Sequence, residues 1–287
     1  MSQFPIIQPS DVRIANLVVG SRQLPSCRQL ENQSETDIRV AASGKVSGSE
    51  KYHPMIHNFA KRMLNKVRRT LWPENGFLRH VDTVVHVGAN EGQERELYAK
   101  FNLNVHWIEP IPSVFELLRT TLQSFPKQKA YQALVLDRDG STCTLHVASN
   151  AGASSSIFEL AEHRQLWPEI SFTHDISVES TTLTTLVRTQ SVDLGTNTAL
   201  VLDTQGSELL VLKGATGLLH RFKYVKTEVA DFDSYLGCCT LSELLPFMKQ
   251  HGFREVRRDA FMSSPGVGTY YDLLFKQVLD APPTARK

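Results

Sequence analysis

The 287-residue chain has only four cysteines, and none is set at the spacing of a metal site. Cys27 and Cys143 stand alone, while Cys238 and Cys239 are adjacent and poorly placed to bridge, so free thiols and a reducing, cytoplasmic compartment are expected. Net charge is scarce too. The balance of 31 basic and 30 acidic residues leaves +1, which gives no field to gather nucleic acid or an acidic membrane. No nucleic-acid partner is therefore expected. No apolar run approaches a membrane span, and the basic start and apolar core of a secretory signal are missing. Two nucleotide-enzyme signatures are absent as well. Without Gly-x-x-x-x-Gly-Lys-[Ser/Thr] there is no P-loop, and without Tyr-x-x-x-Lys the usual acid of one large dehydrogenase group is gone.

What remains is ordinary globular composition, 41% hydrophobic and 21% charged, enough for one large domain or two small ones. Residues 1–53 are rich in Ser and Gln and read as a tail or loosely docked arm, with a linker near Val40 to Glu50. Residues 54–80 form a leading amphipathic segment. Ile56, Phe59, Ala60, Met63, Val67 and Leu71 recur at helical spacing, with Lys61, Arg62, Lys66, Arg68 and Arg69 between them. Such a helix either packs on the domain with a solvated basic face or lies on a membrane surface or acidic partner. The main domain is expected over 81–278 and a short tail over 279–287.

The chain is organised around Val81 to Pro110. Thr83 to Val87 is a β-branched, apolar strand; Gly88-Ala89-Asn90-Glu91-Gly92 breaks it; Arg95 to Phe101 is helical; and Val105 to Ile108 is a second strand ending in Glu109. Glu109 follows Gly88 by 21 positions, close to the roughly 20 at which a doubly wound fold sets a carboxylate on a nucleotide ribose. Glycine at the turn is expected to admit a ligand close to the backbone. The dinucleotide pattern Gly-x-Gly-x-x-Gly is not met, because Asn90 fills the middle position and Gln93 the last. A pyrophosphate would fit poorly there. A nucleoside without phosphates fits better, which makes S-adenosylmethionine the leading ligand.

Ile111 to Phe125 reads as a helix with Ser113 as its cap, and Ala130 to Leu136 as the next strand. Asp137-Arg138-Asp139-Gly140 then reads as a hairpin turn, with Ser141 to Val147 returning antiparallel. Asp137 is a candidate for the adenine amino group. The loop Ser149 to Ser156 offers Asn150 and its serines, Ser155 among them, as contacts for a hydroxylated substrate. Glu159 to Thr173 is an insertion and a candidate lid, and Ile176 to Leu186 reads as further strand. Thr198 to Leu202 ends in Asp203 and Tyr224 to Val229 contains Glu228, which would bring two acids to one crevice at strand ends, where open α/β sheets bind ligands. Leu241 to His251 is a helix, Phe253 to Arg257 a strand, Ala260 to Gly268 a loop, and Thr269 to Phe275 the last strand.

Several of these stretches resemble the FkbM family of S-adenosylmethionine-dependent methyltransferases. They are Val-His-Val-Gly-Ala-Asn-Glu-Gly-Gln (85–93), Ile-Glu-Pro (108–110), Asn-Ala-Gly-Ala-Ser-Ser-Ser (150–156), Leu-Asp-Thr-Gln-Gly-Ser-Glu-Leu-Leu-Val-Leu-Lys-Gly-Ala (202–215), Thr-Glu-Val (227–229), His-Gly-Phe (251–253) and Asp-Leu-Leu-Phe (272–275). The resemblance implies an α/β class I methyltransferase fold: a doubly wound, Rossmann-like, mostly parallel seven-stranded sheet with an antiparallel edge strand and an added hairpin. It implies that His86, Gly88, Ala89 and Asn90 line the methionine side of the cofactor, that Glu109 takes the ribose hydroxyls, and that Pro110, Leu134 and Asp137 serve the nucleoside. Asp203 would sit beside the sulfonium and Glu228 near the acceptor, with Asn150, Ser155 and Gln205 on the substrate. The chain departs from the family pattern at His86, where the family usually has Asp, and at Ser207, where it usually has Tyr.

The expected activity is methyl transfer to a hydroxyl of a sugar or small metabolite, with Asp203 or Glu228 as base. A metal-assisted variant would use Asp203, Glu228 and Asp231 as oxygen ligands; the main expectation needs no metal. The alternative from another class is a catalytically inactive, methyltransferase-like binding module, which His86 and Ser207 favour. A homodimer stays open.

Overall fold

The computed structural model describes residues 75–278. The arm expected over 1–53, nearly all of the leading amphipathic segment and the terminal tail lie outside the described residues.

In chain order the described elements begin with a short 3₁₀ turn, Gly76–His80. Then come β1 (Thr83–Val87), α1 (Arg95–Lys100), β2 (Asn104–Glu109), α2 (Pro112–Thr121), β3 (Gln128–Gln132), β4 (Leu134–Leu136) and β5 (Thr142–Ala148). They continue with α3 (His163–Leu166), β6 (Phe172–Thr182), α4 (Leu183–Thr189), β7 (Thr198–Leu202) and α5 (Glu208–Gly214). The last are β8 (Phe222–Ala230), α6 (Leu241–Gln250), β9 (Phe253–Ser264) and β10 (Gly268–Gln277).

Seven strands form one sheet in the order β3-β2-β1-β7-β8-β10-β9. The pairs from β3 through β8 are parallel, and β10 runs antiparallel to both β8 and β9. The antiparallel strand therefore lies one place in from the edge rather than at it. Central strands β1 and β7 are buried along their whole length, which is why they read as unbroken apolar runs. Alternate residues feed opposite faces. Val85, Val87, Leu200 and Leu202 pack with Leu183 and Leu186 of α4, Leu212 of α5, and Leu244 and Met248 of α6. Val84, Trp107, Ala199 and Val201 pack on the other face with Phe77, Tyr98 of α1 and Leu118 of α2. Helices on both faces of a mostly parallel sheet, with the order reversing beside β1, make a doubly wound fold, and the crevice for a ligand falls at the carboxyl ends of β1 and β7.

The structure corrects several local readings. The strand expected over Ala130 to Leu136 is two strands, β3 in the main sheet and β4 in a second sheet of order β4-β6-β5. The hairpin at Asp137 to Gly140 does not form, because β6 lies between β4 and β5, parallel to the first and antiparallel to the second. The turn chemistry instead serves β6 and α4. Asp139 accepts from the Thr182 backbone N–H at 2.6 Å and from Thr185 Oγ1 at 2.8 Å, so it anchors the start of that helix. Leu183 to Leu186 is helical rather than strand, capped by Thr182 Oγ1 accepting from the Thr185 N–H at 3.0 Å. Ile111, not Ser113, occupies the N-cap of α2. The expected loop Ala260 to Gly268 is mostly strand, since β9 runs to Ser264.

Candidate active site

The site is built first from backbone. At the end of β1, the N–H groups of Gly88 and Ala89 both donate to the Ile108 carbonyl at 3.0 Å, tying the glycine turn to β2. Asn90 takes a positive φ of 43°, which Asn tolerates better than most residues. Its N–H donates to Glu109 Oε2 at 2.9 Å, and its side-chain amide donates to the Ala151 carbonyl at 3.2 Å, fastening the loop after β5. Gly88 is required for a reason beyond the one the sequence suggested. A Cβ there would lie 1.8 Å from the Asp203 carbonyl oxygen, so glycine lets β1 and β7 close on each other.

Two cavities of about 230 Å³ open at this end of the sheet, and Ala153, Asp203 and Gln205 belong to the walls of both. The first holds His86, Gly88, Ala89, Asn90, Glu109 and Pro110 in its wall, and Leu134, Leu145, Ile111 and Ile157 as apolar surface. Ser155 lines this cavity, not the second, and its Oγ accepts from the Ala148 N–H at 2.9 Å. Asp137 lines neither; it lies beyond β4 and pairs with Arg138 at 3.4 Å. The strand that would have turned it toward the ligand belongs to the second sheet.

Glu109 shows what this cavity is suited to hold. One carboxylate oxygen accepts from the Asn90 N–H and the other from the Ile111 N–H, both at 2.9 Å. Each oxygen keeps a lone pair for a second donor, as a vicinal diol needs. Burial pushes the carboxyl up to about 7, against those two hydrogen bonds and with the Asp203 charge adding a little. The wall carries Glu94, Glu109 and Asp203 but no lysine or arginine. Such a cleft disfavours phosphate and suits a cationic nucleoside. S-adenosylmethionine, with its ribose diol, sulfonium and ammonium, fits these residues.

His86 is buried in the same wall and held between Tyr98 and Trp107. Burial, and then the nearby Lys226 charge, lowers its pKa to about 3, so the ring is neutral and does not repel a cation.

The second cavity adds Glu228 of β8 to Asp203, with Asn150, His163, Trp167, Tyr235 and Tyr270 around them. Strands β7 and β8 are parallel neighbours, so the two acids sit at adjacent strand ends, as their sequence positions suggested. Burial raises both carboxyl groups; the Asp203 charge raises Glu228 further, while the Gln205 hydrogen bond holds Asp203 back. Gln205, at a φ of 51°, is fully engaged. Its Nε2 donates to Asp203 Oδ1 at 2.6 Å and its Oε1 accepts from the Tyr235 hydroxyl at 2.8 Å, so it orients Asp203 from a position in the wall of both cavities. Asn150 is likewise tied to Ser154 through both ends of its amide. Asp231, the third oxygen of the metal-assisted variant, accepts from the Thr269 N–H at 2.7 Å and the Tyr271 hydroxyl at 3.1 Å and lines neither cavity. Among the described residues no group of three or more His, Cys, Asp or Glu is arranged to hold a metal.

Sequence reasoning missed three residues. Glu208, buried at the start of α5, accepts from the backbone N–H groups of Thr204 and Gly206 and so shapes the turn that carries Asp203 and Gln205. Tyr235 fixes Gln205 from a loop after β8. Glu94, just ahead of α1, lines the first cavity. No local pattern marks Tyr235 or Glu94, whereas Glu208 lies inside the 202–215 stretch that carries the resemblance. The expected insertion supplies a wall of the second cavity through His163, Trp167 and Ile170. Cys143, Cys238 and Cys239 are free thiols.

The sheet order, the glycine turn and the acid that ends β2 together define a class I methyltransferase. The FkbM methyltransferase domain matches residues 86–255, more than half of the chain, and the chain belongs to that family of S-adenosylmethionine-dependent methyltransferases. No curated protein matches the chain in sequence. Among solved structures it is similar to magnesium protoporphyrin IX methyltransferase from Synechocystis PCC 6803 with bound SAM, at 9% identity and a TM-score of 0.38, covering 85% of this chain and 92% of that one. It is similar to precorrin-6y C5,15-methyltransferase from Geobacter metallireducens at 10% identity and a TM-score of 0.37, covering 75% and 89%. TrmK of M. capricolum, in complex with the cofactor product S-adenosyl-homocysteine, matches at 5% identity and a TM-score of 0.40, covering 71% and 66%. Among the described residues no helix is long and apolar enough to cross a membrane.

Proposed function

We propose that this enzyme methylates a hydroxyl of a sugar or other small metabolite. The observation that carries the reading is the Asp203–Glu228 pair in a cavity that shares a wall with the cofactor cleft. In this reading Glu109 receives the ribose hydroxyls, Gly88, Ala89 and Asn90 border the amino-acid side, and Pro110 and Leu134 border the base. S-adenosylmethionine, when bound, supplies a methyl group already activated on cationic sulfur. The protein's part is to align the acceptor and remove its proton. A buried carboxylate with a raised pKa is a stronger base toward a hydroxyl than an exposed one, so Asp203 or Glu228 takes the proton and Gln205 holds Asp203 in place.

The acceptor chamber has the surface for a ring. Trp167, Tyr270 and Phe261 offer aromatic faces, and the crowd of Asp203, Glu208 and Glu228 opposes an anionic acceptor. His163 contributes a buried Nε2 with no hydrogen-bond partner among the described residues, a polar atom that an acceptor oxygen would satisfy. The free thiols suit a reducing, cytoplasmic setting.

One observation favours the binding-module reading. A neutral His86 stands where the resemblance expects an acid. Incubation with methyl-labelled S-adenosylmethionine and a panel of sugars and small alcohols separates the two. Label on an acceptor oxygen, lost in Glu228→Gln while S-adenosylhomocysteine still binds, supports methyl transfer. Cofactor binding with no transfer to any acceptor supports the binding module.

A further inference from the structure

The amino-acid end of the cofactor cleft is built around His86, and its ring is fixed from two sides. Trp107 stacks on it with ring centres 4.8 Å apart, and the Tyr98 hydroxyl lies 3.2 Å from Nδ1. Trp107 is itself held, its Nε1 donating to Gln128 Oε1 at 3.0 Å, while Gln128 Nε2 donates to the Arg95 carbonyl at 2.7 Å. The tautomer follows from hydrogen-bond accounting. If Tyr98 accepted from Nδ1–H, its own buried proton would have no partner among the described residues. If it donates, only a lone pair goes unused, the cheaper omission. Donation places the imidazole proton on Nε2, the ring nitrogen left for the cleft that His86 lines.

A neutral N–H donor can meet a carboxylate but cannot receive an ammonium. The cofactor's amino-acid end carries both. An anionic acceptor is therefore needed nearby, and Glu94 is placed to supply it. It lines the same cleft, sits one turn before Tyr98, whose N–H donates to the Glu94 carbonyl at 2.9 Å, and its charge reaches both Tyr98 and Asp203. Of the other two acids in this wall, Asp203 is engaged by Gln205 and also lines the second cavity, and Glu109 is held by the Asn90 and Ile111 N–H groups.

We propose that Glu94 receives the ammonium of the cofactor while the Nε2–H of His86, oriented by Tyr98, donates to its carboxylate. The inference rests on the S-adenosylmethionine reading of the cleft and assigns an amino-acid subsite to two residues with a positioning tyrosine behind them.

The test is calorimetric titration with S-adenosylhomocysteine and with 5′-methylthioadenosine, which keeps the nucleoside but lacks the amino-acid end. Glu94→Gln is expected to weaken S-adenosylhomocysteine about tenfold or more, the scale of a lost charge-assisted hydrogen bond, and to leave 5′-methylthioadenosine within about twofold. Glu94→Asp should recover part of the loss. Tyr98→Phe should weaken only the longer ligand, and nitrogen NMR of the imidazole should show the proton leaving its fixed place on Nε2. Glu109→Ala, by contrast, should weaken both ligands alike. Equal loss on both ligands in Glu94→Gln, or no loss on either, overturns the proposal. Failure of the unmodified chain to bind either ligand overturns the cofactor reading itself, and this assignment with it.

Discussion

Asp203, just past β7, and Glu228, in the neighbouring parallel strand β8, share one cavity wall, and burial first, then the Asp203 charge, makes ionisation of Glu228 harder. At neutral pH such a pair holds a proton more firmly than two isolated acids would. Glu228→Gln should therefore lower methyl transfer by about 10² to 10⁴-fold, the range of a lost general base. Affinity for S-adenosylhomocysteine should stay within about twofold, because Glu228 lines only the acceptor cavity. An unchanged rate would remove Glu228 as the base and leave Asp203.

The same substitution should stabilise the empty protein at alkaline pH. An acid whose folded pKa is raised keeps a proton that the unfolded chain has already lost, so stability falls as pH rises from the unfolded value toward the folded one. Thermal melts of Glu228→Gln should exceed those of the unmodified chain at pH 8 and converge with them near pH 4. Parallel curves at both values would contradict the burial of this charge.

Glu109 gives a pH window of its own. Its carboxyl rises from 4.5 to about 7, and the ionised form is the one that accepts from both hydroxyls of a diol. Binding of S-adenosylhomocysteine should tighten as pH rises through about 7 and should release protons near pH 6.5, seen as a buffer-dependent heat. Glu109→Gln should flatten that dependence.

Gly88→Ala tests the fold rather than the ligand. The new Cβ would collide with the Asp203 carbonyl at a φ of +82°, and the cost should exceed about 2 kcal/mol in urea unfolding. A loss of cofactor affinity with stability intact would show instead that the glycine serves the ligand.

The central strands were legible because burial on both faces leaves them mostly apolar, with only Thr83, His86 and Thr198 polar: Thr83–Val87 and Thr198–Leu202 match residue for residue. Glu109 was legible because a helix and two strand ends fix its distance from Gly88. The second sheet was not. Asp139-Gly140 carries hairpin chemistry, but its carboxylate is claimed by Thr182 and Thr185, over forty residues away. Nothing near Gln205 in sequence announces that Tyr235, thirty residues on, holds one end of its amide while Asp203 holds the other. Glu94 escaped for the same reason, its place coming from a cleft assembled by distant segments, whereas Glu208 was passed over although its carboxylate closes on the neighbouring Thr204 and Gly206 N–H groups.

The most direct measurement is the titration of the unmodified chain and of Glu109→Ala with S-adenosylmethionine and S-adenosylhomocysteine. Micromolar binding that weakens by about a hundredfold in the mutant, the scale of losing a charged acceptor for two hydroxyls, is the result expected of a ribose held by this carboxylate. Binding that survives Glu109→Ala unchanged would contradict the placement of the cofactor in this cleft.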